Sequence, residues 1–82
     1  MIKMEEKIII ANLEKIFREV FSNEFLVITR GMYANNVEGW NSLNHMILVS
    51  EVEKTFSIKL KLKDLNKMHN VGDMIDIIVS KL

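Results

Sequence analysis

The absence of proline from a chain of 82 residues is the feature that most constrains its fold. Proline breaks helix interiors, so its absence, together with a count of only three glycines, leaves long stretches free to form helices. Hydrophobic residues make up 49% of the chain and charged residues 27%, which is typical of a folded rather than a disordered protein. At this length we expect one domain, residues 1–82, with a small core.

The first predicted helix covers about residues 4–21, starting near Met4. Glu14 and Arg18 are spaced to form an ion pair on its polar side, and the polar residues 22–23 are expected to end it. Its apolar stripe has helical spacing and contains Ile9, Leu13, Ile16, Phe17 and Val20.

Residues 22–41 form a long connection. The segment EFLVIT has the composition of a strand, but no partner strand is evident, so we predict an extended loop that packs Leu26 and Ile28 onto the helices. The following segment, RGMYANNVEGWN, is rich in glycine and asparagine, which is typical of loops. A loop of this length in a small domain often has a function.

Two shorter helices are predicted after residue 57. An extended piece, residues 58–60, leads into a third helix over residues 61–68, with Leu62, Leu65 and Met68 on one side. Asn70 is the expected N-cap of the fourth helix, and Asp73 suits its first turn. The buried stripe of this helix is predicted to contain Val71, Met74, Ile75 and Ile78.

The second helix, predicted from Ser42 to about Phe56, has two apolar faces. A lone helix in a small bundle needs only one such face for the core, so a second one indicates a binding surface. The core face contains Leu48, Val49, Val52 and Phe56, and the opposite face contains Leu43, Met46 and Ile47.

Composition excludes several classes of function. The chain has 11 basic and 11 acidic residues, so no overall charge attracts nucleic acid or an anionic membrane. Without cysteine it has no disulfide and no thiolate metal site, which fits the cytoplasm. The first helix lacks the apolar core of a signal peptide, and no apolar run approaches the roughly 20 residues that span a bilayer. No acid/base pair, metal-ligand spacing or phosphate-binding glycine loop predicts an enzyme.

The segment around Ser42 resembles the acyl carrier protein family. That family has Gly, a variable residue, Asp, Ser and Leu at the start of its second helix, where this chain has Gly39, Trp40, Asn41, Ser42 and Leu43. The following SLNHMILVSEVEKTFSIKL is similar to the family's second helix, and NVGDMIDII is similar to its last. The resemblance covers the whole chain in element order and is closest over residues 37–82.

This resemblance implies an all-α four-helix bundle with a long loop between helices I and II and a short helix III. It also implies that a phosphopantetheinyl transferase attaches the 4′-phosphopantetheine of coenzyme A to Ser42. Acyl groups would then be held as thioesters on the arm and passed among acyl-activating, acyltransferase or condensing enzymes. A phosphodiester at a helix N-terminus is electrostatically favoured, and the protein itself would not be an enzyme.

The chain departs from the family in its charge. Asn41 replaces the usual Asp, Ile47 stands where an acidic residue is common, and the third-helix region is rich in lysine. Docking of partner enzymes would therefore depend on Asn41, Leu43, Met46 and Ile47 more than on charge. These differences favour a specialised lipid, polyketide or cell-envelope pathway over housekeeping fatty acid biosynthesis. We expect the protein to be a monomer that neither binds nucleic acid nor inserts into a membrane.

Other interpretations remain open at this point. Ser42 could be only an N-cap, which would leave an unmodified helical protein-interaction module that uses the exposed face of helix II. A helix-turn-helix DNA binder is disfavoured by the neutral charge. We expect Trp40 to pack the loop onto the bundle rather than contact the arm. We expect His45 to be a partly buried, hydrogen-bonded side chain rather than a phosphate ligand.

Overall fold

The computed structural model describes residues 5–82, and Met4, the expected start of the first helix, lies outside them. Within the described residues there are α-helices but no strands, as predicted. The second helix has the predicted bounds, and the first packs against both the second and the fourth. The helices are α1 (Glu6–Val20), α2 (Ser42–Phe56), α3 (Leu62–Leu65) and α4 (Val71–Lys81), with one 3-10 turn at Ala34–Asn36.

The core forms where the apolar stripes of α1, α2 and α4 meet. All three predicted stripes are buried, except that Val20 at the end of α1 is only partly buried. Burying a large aliphatic or aromatic side chain contributes about 1.5–3 kcal/mol, so this shared core is the main source of stability. Its fully enclosed members include Ile9, Leu13, Phe17, Leu48, Val52, Met74, Ile75 and Ile78.

The long connection between α1 and α2 is attached to α1 by two polar side chains. Glu14 and Arg18 form the predicted ion pair, at 3.1 Å. Each also binds the connection: the Ile28 N–H donates to Glu14 Oε2 at 3.1 Å, and Arg18 Nε donates to the Leu26 carbonyl at 2.7 Å. Leu26 and Ile28 pack on the core as predicted.

The same connection is attached to the start of α4. The Gly72 N–H donates to the Arg30 carbonyl at 2.7 Å, and the Val71 N–H donates to the Met32 carbonyl at 2.8 Å. The Arg30 guanidinium then pairs with Asp76 of α4 at 2.8 Å. A Cβ at Gly72 would lie only 2.9 Å from the Arg30 carbonyl oxygen, so this close approach requires glycine.

The prediction for the third helix is wrong in its length and in one face residue. α3 has a single turn, and Leu62 at its start is 74% exposed. The reason is Asp64, which is only 9% exposed. It accepts a hydrogen bond from the Lys61 N–H at 2.9 Å and pairs with Lys81 of α4 at 2.9 Å. These contacts turn Asp64 inward and leave Leu62 facing outward.

Side-chain and backbone geometry define the remaining helix ends. Asn70 caps α4 as predicted, accepting from the Asp73 N–H at 2.8 Å. Ser57 ends α2 in the left-handed conformation, with φ of 53°. Within residues 5–82, no helix has the length and apolar character needed to cross a membrane.

Candidate functional site

Ser42 is the first residue of α2, and its neighbour Asn41 is the N-cap. The Asn41 Oδ1 atom accepts from the Asn44 N–H at 2.9 Å, while its carbonyl accepts the first helical hydrogen bond, from His45, at 2.8 Å. The interpretation of Ser42 as a plain cap is therefore wrong. The exposed Ser42 side chain has no capping role, and its hydroxyl stands at the end of the helix.

A tight turn at Gly39 leads the chain into the helix. Gly39 has φ of +89°, a conformation that L side chains rarely adopt. Its carbonyl accepts from the Asn41 N–H at 2.9 Å and from the Asn44 side chain at 2.7 Å. The glycine of the motif therefore sets the direction in which the chain reaches Ser42.

Trp40 anchors this turn to the bundle, as predicted. Its ring meets Phe17 edge to face, with centroids 5.3 Å apart, and lies 5.9 Å from the ring of Phe21. The Trp40 Nε1–H donates to His45 Nδ1 at 3.0 Å, so His45 must be neutral there and have its proton on Nε2. Burial lowers the pKa of His45 from the usual 6.5. The expectation of a half-buried, hydrogen-bonded histidine is confirmed.

A cleft of about 530 Å³ opens beside Ser42. One wall comes from the turn and the first helical turns of α2, and the other from the segment between α3 and α4. No local pattern in the sequence indicates that this second segment meets the start of α2. The lining residues are Ala34, Trp40, Asn41, Ser42, His45, Met46, Met68 and His69.

The second apolar face of α2 is exposed, as predicted. Leu43 is 71% exposed, Met46 is 54% exposed and Ile47 is 44% exposed. Asn41 is exposed as well, and Met46 also lines the cleft. The structure thus brings the four predicted docking residues to the surface around Ser42.

The described residues contain no group of three His, Cys, Asp or Glu side chains that could hold a metal ion. Residues 38–46 instead place an exposed serine hydroxyl at the N-terminus of α2, beside the exposed apolar face of this helix. This arrangement suits a serine that is modified and presented to other proteins.

Comparison with known proteins identifies the family. No family model matches the chain. Among solved structures, the chain is similar to the holo acyl carrier protein from Geobacter metallireducens, determined by solution NMR. The two are 40% identical, the match covers 88% of this chain and 83% of that one, and the TM-score is 0.83. The chain belongs to the acyl carrier protein family, which makes it a carrier protein and not an enzyme.

Proposed function

We propose that Ser42 takes a 4′-phosphopantetheine arm from coenzyme A and that the protein passes acyl intermediates between enzymes on this arm. The observation that supports the proposal most is the position of Ser42, exposed at the start of α2, with capping assigned to Asn41. The similar Geobacter protein is a holo form. The arm supplies a thiol for thioester chemistry, which a chain without cysteine cannot otherwise provide.

The residues at Ser42 fit a phosphodiester. The N–H groups of Ser42 and Leu43 lie in the first turn of α2, and within residues 5–82 neither has a hydrogen-bond acceptor. Such groups, together with the helix dipole, stabilise an anion by about 0.3–1 kcal/mol at an exposed site. The chain needs no general base, because the transferase activates the hydroxyl.

The enzymes that act on this arm would dock on Asn41, Leu43, Met46 and Ile47. These are the phosphopantetheinyl transferase and then acyl-activating, acyltransferase or condensing enzymes. Since the exposed face beside Ser42 is apolar, shape and apolar contact would select these partners more than charge. We assign the carrier to a specialised lipid, polyketide or cell-envelope pathway in the cytoplasm, where it acts as a monomer.

The test is the intact mass of the protein before and after incubation with coenzyme A, Mg²⁺ and a broad-specificity phosphopantetheinyl transferase. We expect the gain of one phosphopantetheinyl group by the wild type and no gain by Ser42→Ala. Ser50→Ala is the matched control, because Ser50 is an exposed serine on the same helix. Circular dichroism of each variant would verify that the helices remain.

If the wild type gains no mass, Asn41→Asp shows whether the transferase fails to recognise this chain or whether Ser42 is not a modification site. It restores the residue usual in the family and retains a capping oxygen. Modification of Asn41→Asp alone would mean that the wild type needs a dedicated transferase. If both proteins stay unmodified, the carrier proposal is refuted. The exposed face of α2 would then be explained as the binding surface of an unmodified protein-interaction module.

A further inference from the structure

The lysines around α3 form a surface that the proposed function does not use. Lys59, Lys61, Lys63 and Lys67 are all exposed, and none of the four side chains forms an ion pair within residues 5–82. Leu62, which is 74% exposed, stands between two of them in the chain. We call these four lysines and Leu62 the lysine surface.

The acidic residues nearest in the chain are already engaged in contacts within the protein. Asp64 is turned inward and pairs with Lys81 at 2.9 Å. The Glu53 Oε2 atom of α2 accepts from the Leu60 N–H at 2.8 Å. The chain is neutral overall, but residues 59–67 therefore contain four exposed lysines without an ion-pair partner within residues 5–82.

We propose that the lysine surface docks a protein whose contact face has acidic side chains around an apolar recess for Leu62. Opposite charges speed the encounter and exclude partners of the wrong sign. An exposed leucine between two of the lysines in the chain supplies the apolar contact that charges alone do not.

Two features favour a protein over a membrane or a nucleic acid. α3 has only four residues and one exposed apolar side chain, whereas a helix that lies in a membrane interface needs a broad apolar face. The chain also has no net positive charge, whereas nucleic-acid binding draws its affinity from phosphate neutralisation.

The position of the lysine surface connects it with Ser42. Met68 and His69 directly follow it in the chain and line the cleft that Ser42 also lines. A protein bound to the lysine surface would therefore lie next to the site of modification. That this protein is an enzyme acting on the arm rests on the proposed function; the binding surface itself does not.

The test uses two synthetic amphipathic helical peptides with the same leucine stripe, one flanked by glutamates and the other by lysines. Each is titrated into ¹⁵N-labelled Ser42→Ala protein, which cannot be modified, and the backbone amide shifts are followed. We expect the glutamate peptide to shift amides within residues 58–69, with an affinity that falls as salt rises. The lysine peptide should leave them unchanged.

Variants locate the interaction. Lys61→Glu with Lys63→Glu should weaken binding of the glutamate peptide by about tenfold or more, because like charges then face one another. Leu62→Ser should weaken it as well. Lys7→Glu with Lys15→Glu makes the same change of charge at exposed positions of α1 and should have little effect.

The proposal is overturned if the lysine peptide binds equally well, if no shift occurs, or if the shifts lie outside residues 58–69. If phosphatidylglycerol vesicles or duplex DNA shift the same amides more than the glutamate peptide does, the proposal of a protein partner is rejected. The lysine surface would then bind a membrane or a nucleic acid instead. Peptide binding by a chain that gains no mass in the transferase assay would retain the lysine surface and reject the carrier role. A chain that is modified by the transferase but binds neither peptide would retain the carrier role and reject the lysine surface.

Discussion

Gly72→Ala tests whether the contact between the connection and the start of α4 is as tight as the structure indicates. The added Cβ would lie 2.9 Å from the Arg30 carbonyl oxygen and 3.3 Å from the Arg30 Cβ, whereas ordinary contacts lie at 3.4–4 Å. The carbonyl oxygen would have to move by about 0.5 Å, and a backbone atom cannot yield as a flexible side chain does. Arg30 is also held by ion pairs to Glu6 at 3.1 Å and to Asp76 at 2.8 Å.

The expected net loss of stability for Gly72→Ala follows from two opposing effects. Overpacking at a close contact costs about 1–3 kcal/mol, and alanine returns at most about 1 kcal/mol through its helix propensity. The difference lies between about 0 and 3 kcal/mol. Because the nearest atom is a backbone oxygen, we expect a loss of about 1–2 kcal/mol, equivalent to a fall in Tm of about 5–15 °C for a domain of this size. Thermal unfolding followed by circular dichroism, with urea unfolding in parallel, measures both quantities.

Gly31→Ala is the matched control for Gly72→Ala. A Cβ at Gly31 would have nothing within 4 Å, and its φ is not positive, so its Tm should stay near that of the wild type. The reasoning is refuted if Gly72→Ala unfolds within about 0.5 kcal/mol of the wild type, or if both variants lose the same stability.

Three further predictions concern titration and backbone strain. Because burial lowers the pKa of His45 in the folded chain, stability should fall as pH drops below the unfolded value of 6.5, by at most about 1.4 kcal/mol per pH unit. His45→Asn keeps an acceptor for the Trp40 N–H and should remove this pH dependence of stability in urea unfolding, whereas the control His69→Asn should retain it. Parallel pH profiles of stability for the wild type and His45→Asn would contradict the prediction. Ser57→Gly should raise Tm, since glycine relieves about 1 kcal/mol of left-handed strain at φ 53°; an unchanged or lower Tm would show that no strain is stored there. A backbone N–H and a lysine ammonium hold the pKa of Asp64 below 3.8, so its stabilisation is complete above that pH and lost as pH falls through the lowered value; Asp64→Asn should flatten this acid limb, and an unaltered limb would refute it.

Elements that depend on local pattern could be predicted from the sequence. The bounds of α2 follow from the polar residues Asn41 and Ser42 at its start and from an apolar stripe that ends at Phe56. The start of α4 follows from Asn70, whose side chain satisfies a donor only three residues away. The exposure of Leu43 follows from a helix whose core face is already complete.

The parts that sequence reasoning missed depend on contacts between distant residues. Leu62 has helical spacing with Leu65, but the pairing of Asp64 with Lys81 determines which side of α3 faces inward. His69 lies 27 positions after Ser42, and only the packing of the helices brings both to one cleft. Likewise, nothing local shows that Gly72 must leave room for a carbonyl from the connection.

The attachment of the connection to both α1 and α4 affects the order in which the chain becomes structured. Hydrogen bonds to Glu14 and Arg18 hold its first part, and those from Val71 and Gly72 hold its middle. Fixing the path of the connection costs conformational entropy, which is repaid by its contacts with α1 and α4. The connection should therefore acquire its native path late, after the two helices have met. Conversely, fraying of the first turn of α4 would release the connection. The Val71 and Gly72 amides, which donate to it, should therefore exchange with solvent deuterium as one cooperative unit.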